Sequence, residues 1–372
     1  MKFNVSSKVL MDHLTVFAKV INAKNTITIL ENFLFDLQGD TLTITGSDSE
    51  STLKTSIQVE NAEGSGKVAI KVKTIMGILK LMPEQGLQFD IDEGSFEVFI
   101  YYVNGGQYNF MGFDGNEFPQ KNFNFEDSVK FTMDGAAVLK GLDNTTYAVA
   151  TEDARPVMMG VLWDVQPEKV VFVSSDTHML VKYTNENVKS GITKAFILPL
   201  KPATILQTIL QKVDGEVSIE ADQNSATFNV GEYSLNCRFV NGRYPNYNAV
   251  IPAENKYSVA IDRTALSGAI RRMGILASAS CLVLLDLRTN EILLSSQDVD
   301  VRTKSKETVP CNYVDTPMTV GYNHIKLTQL LESLSCDNLF LRLNGPKSPG
   351  VFESENEDPG EKLLVLLMPM MA

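Results

Sequence analysis

Two places in this 372-residue chain bring side chains with catalytic potential together. The first is Ser175-Asp176-Thr177-His178, where a hydroxyl, a carboxylate and an imidazole fall within four residues. A hydrolase would use the serine as nucleophile, the histidine as its base and the aspartate to orient the ring. Neighbours at a strand end point in different directions, and the GxSxG elbow that exposes a serine nucleophile is absent, so no triad is expected. The second is Gly64-Ser65-Gly66-Lys67, which lacks the GxxxxGK[ST] spacing of a phosphate loop and predicts a turn. Cys237, Cys281, Cys311 and Cys336 form no CxxC pair and have no ligand-like spacing to the three histidines, which implies neither zinc nor a disulfide framework. The expectation is a protein that is not an enzyme and needs no cofactor or metal.

What positions these segments is a long, weak repeat. Lys2-Phe3-Asn4-Val5, Lys130-Phe131-Thr132-Met133 and Tyr257-Ser258-Val259-Ala260 alternate like strands and run into N-caps at Ser6, Asp134 and Asp262, each 128 residues apart. Apolar residues then recur at helical spacing in one phase, as Leu10 and Leu14, Val138 and Leu142, Leu266 and Ile270. An apolar strand follows each helix, ending in Phe35-Asp36-Leu37, Trp163-Asp164-Val165 or Leu285-Asp286-Leu287. A turn and another strand come next, ending in Ser47-Asp48, Ser175-Asp176 or Ser296-Gln297.

Each repeat has a second half of the same kind, with short strands near residues 68–70, 195–198 and 318–320 leading into helices over 71–82, 201–212 and 323–335. The first helices cover 6–21, 134–149 and 262–276. The fold class is therefore α+β, in three similar domains over 1–124, 125–250 and 251–372, each with two helices packed against antiparallel sheets.

Composition narrows the function. With 44% apolar and 21% charged residues the chain can build packed cores, and disorder is not indicated. Residues 1–14 contain Lys8, Asp12 and His13 where a signal peptide needs an unbroken apolar stretch, and no run approaches membrane-spanning length. A reduced cytoplasm is expected, with no membrane partner. The net charge of −12 opposes indiscriminate nucleic-acid binding, but the charge is segregated. The six predicted helices hold twelve Lys/Arg against five Asp/Glu, a net of +7, and the remainder carries −19. Equivalent helices lining one surface would make a basic face for phosphates on an acidic protein.

With that frame in place the chain resembles the bacterial DNA polymerase III β subunit family, the sliding clamps, over essentially its full length. The resemblance is carried by Ile29-Leu30-Glu31-Asn32 leading to Leu42-Thr43-Ile44-Thr45-Gly46-Ser47-Asp48, by Ser175-Asp176-Thr177-His178-Met179-Leu180, by Val240-Asn241-Gly242-Arg243-Tyr244-Pro245-Asn246-Tyr247 and by Met368-Pro369-Met370. It implies a head-to-tail homodimer closed into a ring on double-stranded DNA, and head-to-tail contacts that close make a ring rather than a filament. Partners implied are the replicative polymerase catalytic subunit, the clamp loader, and other polymerases and repair proteins, all docking through short linear peptides.

Residue by residue, the resemblance implies a peptide groove at Met158, Ser175, Thr177, His178, Met179, Leu180, Pro245, Val250, Asn323, Leu366, Leu367, Met368, Pro369, Met370 and Met371. Flexible methionines suit a surface that accepts several peptides. It implies DNA contacts from Lys24, Lys73, Lys80, Arg155 and Lys201, and a ring joint of Tyr108 and Phe110 against Ile275 and Leu276. The chain departs from the family pattern where Ser175, Thr177 and Met179 replace threonine, glycine and arginine. Ala249 stands where an arginine is often found, Glu152 adds an acid beside Arg155, and the ending is Met371-Ala372 in place of Arg-Leu.

Overall fold

The computed structural model describes residues 1–22, 25–119, 125, 127–152, 155–277, 279–298 and 302–371. The six expected helices are present as α1 (Ser7–Phe17), α2 (Val72–Leu79), α3 (Gly135–Thr145), α4 (Leu200–Leu210), α5 (Arg263–Gly274) and α6 (His324–Ser333). Each begins directly at the end of a strand. Asp134 and Asp262 cap α3 and α5, accepting from Ala137 N at 3.1 Å and Ala265 N at 2.7 Å. Ser6 does not cap α1; the neighbouring Ser7 hydroxyl bonds Pro83 O and Gln85 N, both at 3.0 Å, and ties the helix start to the loop after α2. The apolar stripe read from the spacing is the buried one, with Leu10, Leu14, Val138, Leu142, Leu266 and Ile270 all inaccessible to solvent.

The two halves of each repeat exchange strands. Lys2–Ser6, which leads into α1, pairs with Gly86–Ile91 from the second half of its repeat; Val129–Asp134 pairs likewise with Glu216–Ala221, and Tyr257–Asp262 with Asn338–Leu343. Conversely Gly66–Lys71, leading into α2, lies beside Asn32–Gln38, and Met318–Asn323 beside Leu282–Arg288. Neither half can complete its sheet alone, so each domain folds as a crossed pair.

Repeats are welded along strand edges. Ser51–Gln58 of the first repeat pairs antiparallel with Tyr233–Arg238 of the second, with Leu53 opposite Leu235. Met179–Asn185 of the second pairs with Glu361–Leu367 of the third, with Val181 opposite Val365. These joints are dense enough that the chain divides into compact units along them and through the second repeat: residues 1–139 with 199–239, and residues 140–198 with 240–372. In the second unit Val181, Val365 and Leu367 join one core with Leu266, Ile270, Leu327 and Leu331. Each such side chain contributes about 1.5 to 3 kcal/mol when fully buried.

An ion pair accompanies each joint. Lys201 at the start of α4 reaches Asp48 Oδ2 at 2.5 Å and also donates to Asn22 Oδ1 at 2.6 Å and to Val20 O. Lys326 at the start of α6 reaches Asp176 Oδ2 in the same way. The ladders correct the equivalence expected in the third repeat. Asp48 and Asp176 each stand seven residues beyond the first residue of their strands, Thr41–Ser47 and Lys169–Ser175, and in Glu291–Asp298 that position is Asp298, not Gln297. The Ser-Gln reading was one residue out of register because a longer hairpin disguises the phase: Asp298 still pairs with Thr303, where the first two repeats turn over two residues.

The Asp48 carboxylate is almost fully buried, so losing its charge leaves the Lys201 ammonium with a weakened partner in a partly desolvated site. Asp48→Asn should lower stability by about 1 to 3 kcal/mol in urea unfolding. Lys8→Gln, which breaks the exposed Lys8–Glu84 pair, should change it by less than about 0.5 kcal/mol.

Candidate functional site

The second unit carries the residues expected to bind partner peptides. Its centre is the turn between Lys169–Ser175 and Met179–Asn185. Asp176 Oδ1 accepts from His178 N at 3.0 Å and Met179 N at 2.8 Å, while the Ser175 hydroxyl donates to Met179 O at 2.8 Å. Thr177 is held at φ 76°. A β-branched residue in the left-handed region costs about 1 to 2 kcal/mol, and the side-chain bonds to backbone offset it. The same turn recurs at Asp48, which accepts from Glu50 N at 3.1 Å and Ser51 N at 2.7 Å, with Ser49 at φ 80°. It is a structural element of the repeat rather than a catalytic loop. Asp176 is occupied by backbone and by Lys326, and no described hydrogen bond links it to the His178 ring. The Gly64 segment is likewise a turn, with Gly64 at φ 76° and Lys67 paired to Asp36 at 3.4 Å.

Beyond strand Glu361–Leu367 the tail is laced against that turn: Met368 N donates to His178 O at 2.7 Å, and Met370 N to Gly321 O at 2.8 Å. The alternation of the joint strands then sorts the expected groove residues. Leu180 and Leu366 face one side, in a cluster with Leu162, Val171, Val173, Ile197 and Tyr244. Met179 and Leu367 face the other and lie 1% exposed in the helix-side core. These two were expected in the groove and are instead core residues, because period-2 alternation turns them away from Leu180 and Leu366. Pro245 is exposed, Val250 is 54% exposed on the turn Tyr247–Val250, and Met368 and Met371 are exposed on the tail. Met158 is buried next to Val157, which packs on the Leu180 cluster. Asn323 acts as the cap of α6, accepting from Ile325 N at 2.9 Å and Lys326 N at 3.2 Å. Val171, Val173 and Tyr244, which complete the apolar floor, were missed; the valines were signalled by alternation in phase with Ser175, the partner of Leu180, whereas Tyr244 lies outside the strands.

Of the two joints described within the chain, the second carries this apolar face. At the matching positions, where the middle joint has Leu180 opposite Leu366, the first has Thr52 opposite Asn236.

The basic residues separate just as clearly. Lys73, Lys80 and Arg155 are exposed and make no ion pair among the described residues. Lys24 lies outside the described residues. Lys201, expected to meet DNA, has its ammonium engaged by Val20, Asn22 and Asp48 and is not a free cation. Of the residues expected at a ring joint, two lie on a sheet edge and two follow a helix. Tyr108 and Phe110 are on strand Gly106–Met111, which has one neighbour, and Ile275 and Leu276 follow α5 at 81% and 42% exposed. Residues 128 and 256 positions before Leu276 are Ala148 and Val20, both completely buried. Among the described residues no helix is long and apolar enough to cross a membrane, and no group of three His, Cys, Asp or Glu is placed to hold a metal ion.

Solved structures with this fold are sliding clamps. The chain superposes on the DNA polymerase III subunit beta clamp of Pseudomonas aeruginosa bound to griselimycin with a TM-score of 0.91 at 23% identity, covering 100% of both chains. For the griselimycin-bound clamp of Bartonella birtlesii the values are 0.92 and 22%, again over 100% of both. At these identities the likeness is one of fold, and the fold is the DNA clamp. The beta sliding clamp of Synechococcus elongatus is 25% identical over 368 residues, 96% of each chain. The N-terminal, central and C-terminal domain models of the DNA polymerase III beta subunit match residues 1–122, 132–246 and 248–371. The chain belongs to that family, the DNA sliding clamps of replication, which are non-catalytic processivity factors.

Restoring the family's arginine at Met179 tests the division of faces. Met179→Arg would bury a guanidinium in the helix-side core and should destabilise the chain by about 3 kcal/mol or more in urea unfolding. Were position 179 on the groove face, the substitution would leave stability nearly unchanged.

Proposed function

We propose that two copies of this chain close head to tail into a ring around duplex DNA. The ring would tether the replicative polymerase, the clamp loader and repair enzymes through short peptides seated in the groove. Its subunits consist of clamp domains 1–124, 125–250 and 251–372, and it works in the reducing cytoplasm, in keeping with four free cysteines.

The observation that carries this reading is that one joint is made twice within the chain and its two halves are left over at the ends. Ser51–Gln58 and Met179–Asn185 correspond to Thr303–Asn312, in which Cys311 and Asn312 already pair with Ile261 and Ala260 and only Thr303–Pro310 keeps an open side; Tyr233–Arg238 and Glu361–Leu367 correspond to Gly106–Met111. Leu53 and Val181 occupy the position of Ser305, while Leu235 and Val365 occupy that of Tyr108. Pairing the free edges of two copies in the same register sets Ser305 opposite Tyr108 and Thr303 opposite Phe110. Tyr108 and Phe110 then meet Ile275 and Leu276 on the helix side. Lys73 occupies the position of Lys201, and Asp298 that of Asp48, so the third joint acquires the same ion pair. Unpaired strand edges are liabilities unless covered, and two reciprocal joints cover both.

That assignment removes Lys73 and Lys201 from the DNA-facing set and leaves Lys80, Arg155 and Lys24 to meet phosphates. Such contacts carry no base information, which suits a ring that slides.

Topology is the test of function. Loaded by the clamp loader, the protein should remain on nicked circular DNA and be lost from the same DNA once linearised, irrespective of base sequence. Equal retention on both forms would mean that it binds DNA without encircling it. For the joint, Lys73→Glu or Asp298→Lys alone should weaken dimerisation about tenfold by sedimentation, and combining them should restore it. Additive losses in the double variant would separate the two residues.

A further inference from the structure

The outer face of the middle joint ends in unbalanced positive charge. Lys182 follows Leu180 by two residues on the same strand and the same face, roughly 7 Å along it. Its ammonium donates to Asn248 Oδ1 at 3.0 Å and lies 5.4 Å from the centre of the Tyr247 ring. Tyr247 and Asn248 belong to the turn that exposes Val250, so Lys182 is attached to the rim of the apolar groove. Among the described residues no carboxylate forms an ion pair with it. Asp164, the acid that faces it, already accepts from the Tyr247 hydroxyl and from Gln166 Nε2, both at 3.1 Å. Lys362 is directed to Glu353 at 3.5 Å, a carboxylate that also holds Arg342. Partial burial, with Lys169 and Lys362 close by, holds the Lys182 ammonium below the usual lysine range. The site thus presents a partly desolvated cation, steadied by an aromatic face and an amide, with Asp164 near it but not in direct ion-pair contact.

We infer that Lys182 is a specificity residue of the groove, binding a carboxylate that the partner peptide carries a few residues from its apolar anchor. This rests on the groove reading above and adds the sign of charge that the groove selects. An anion here gains a charge-assisted hydrogen bond from a partly desolvated ammonium, whereas a cation meets that ammonium with Lys169 close by. The carboxylate could be an Asp or Glu side chain or the peptide's own C-terminus.

The probe is a panel of fluorescent decapeptides with two adjacent large apolar residues as the anchor. It varies Asp against Asn at each position flanking the anchor, and a free against an amidated C-terminus, with binding read by anisotropy on the full-length protein. At one position Asp should bind about fivefold more tightly than Asn. If the C-terminus is the source, the free acid should show that advantage over the amide instead. Lys182→Gln should bring the ratio to about one, and Lys182→Glu should invert it. Leu180→Ala should weaken every peptide while keeping the ratio. Discrimination that survives Lys182→Gln, or no discrimination in the parent protein, overturns the inference while leaving the groove intact. Binding that Leu180→Ala does not affect overturns the groove reading and this inference with it.

Discussion

The structure depends on the pairing of strand edges. An open sheet edge presents unsatisfied N–H and C=O groups, and here edges are satisfied by handing them to the next repeat. That constraint explains why the halves of each repeat exchange strands, why the compact units run through the second repeat, and why, in the proposed ring, the open ends Gly106–Met111 and Thr303–Pro310 would pair with each other. The Asp–Lys pairs add orientation: Asp48 and Asp176 sit in turns built from their own side-chain bonds and point at the first turn of the next repeat's second helix. Three joints would thus use one design, two within a chain and one between chains.

The groove is a by-product of the same design. Every joint lays two strands side by side, and its outer face takes whatever residues alternate with the helix-side core. Thr52 with Asn236 makes that face polar at the first joint; Leu180 with Leu366 makes it apolar at the second, where Tyr244, the Tyr247 turn and the tail wall it in. The proposed binding site would thus arise without a change of fold. Its polar rim, including Lys182, is then free to set which peptides are preferred.

Much of this was legible in the residues. The helices were marked by apolar spacing that only a buried face explains, and the caps Asp134 and Asp262 by residue type. The third-repeat register was misread because the Ser-Asp marker recurs as Gln297-Asp298, and only the ladder count from Glu291 restores the phase. The count of basic residues on helices overstated a DNA-facing surface. Lys201 and Lys326 are joint residues, Lys140 pairs with Asp358 at 2.6 Å and Arg272 with Glu307, all across distances in sequence that composition cannot see. Met179 was misplaced by transferring a role along the chain without asking which face its neighbour Leu180 used.

The central claim is that the free edges join in the register of the internal joints. It is tested most directly by pairing Lys304→Cys with Asn109→Cys in one chain, positions that match Leu180 and Leu366 and so lie directly opposite across the proposed joint. Mild oxidation should convert the protein into a covalent dimer of twice the 41.1 kDa chain mass, with no longer species. Replacing Asn109→Cys by Gln107→Cys, two residues out of register, should cross-link poorly, since opposed Cα atoms must lie within roughly 7 Å. Equal cross-linking from both pairs, a ladder of longer polymers, or no cross-linking at all would contradict the account.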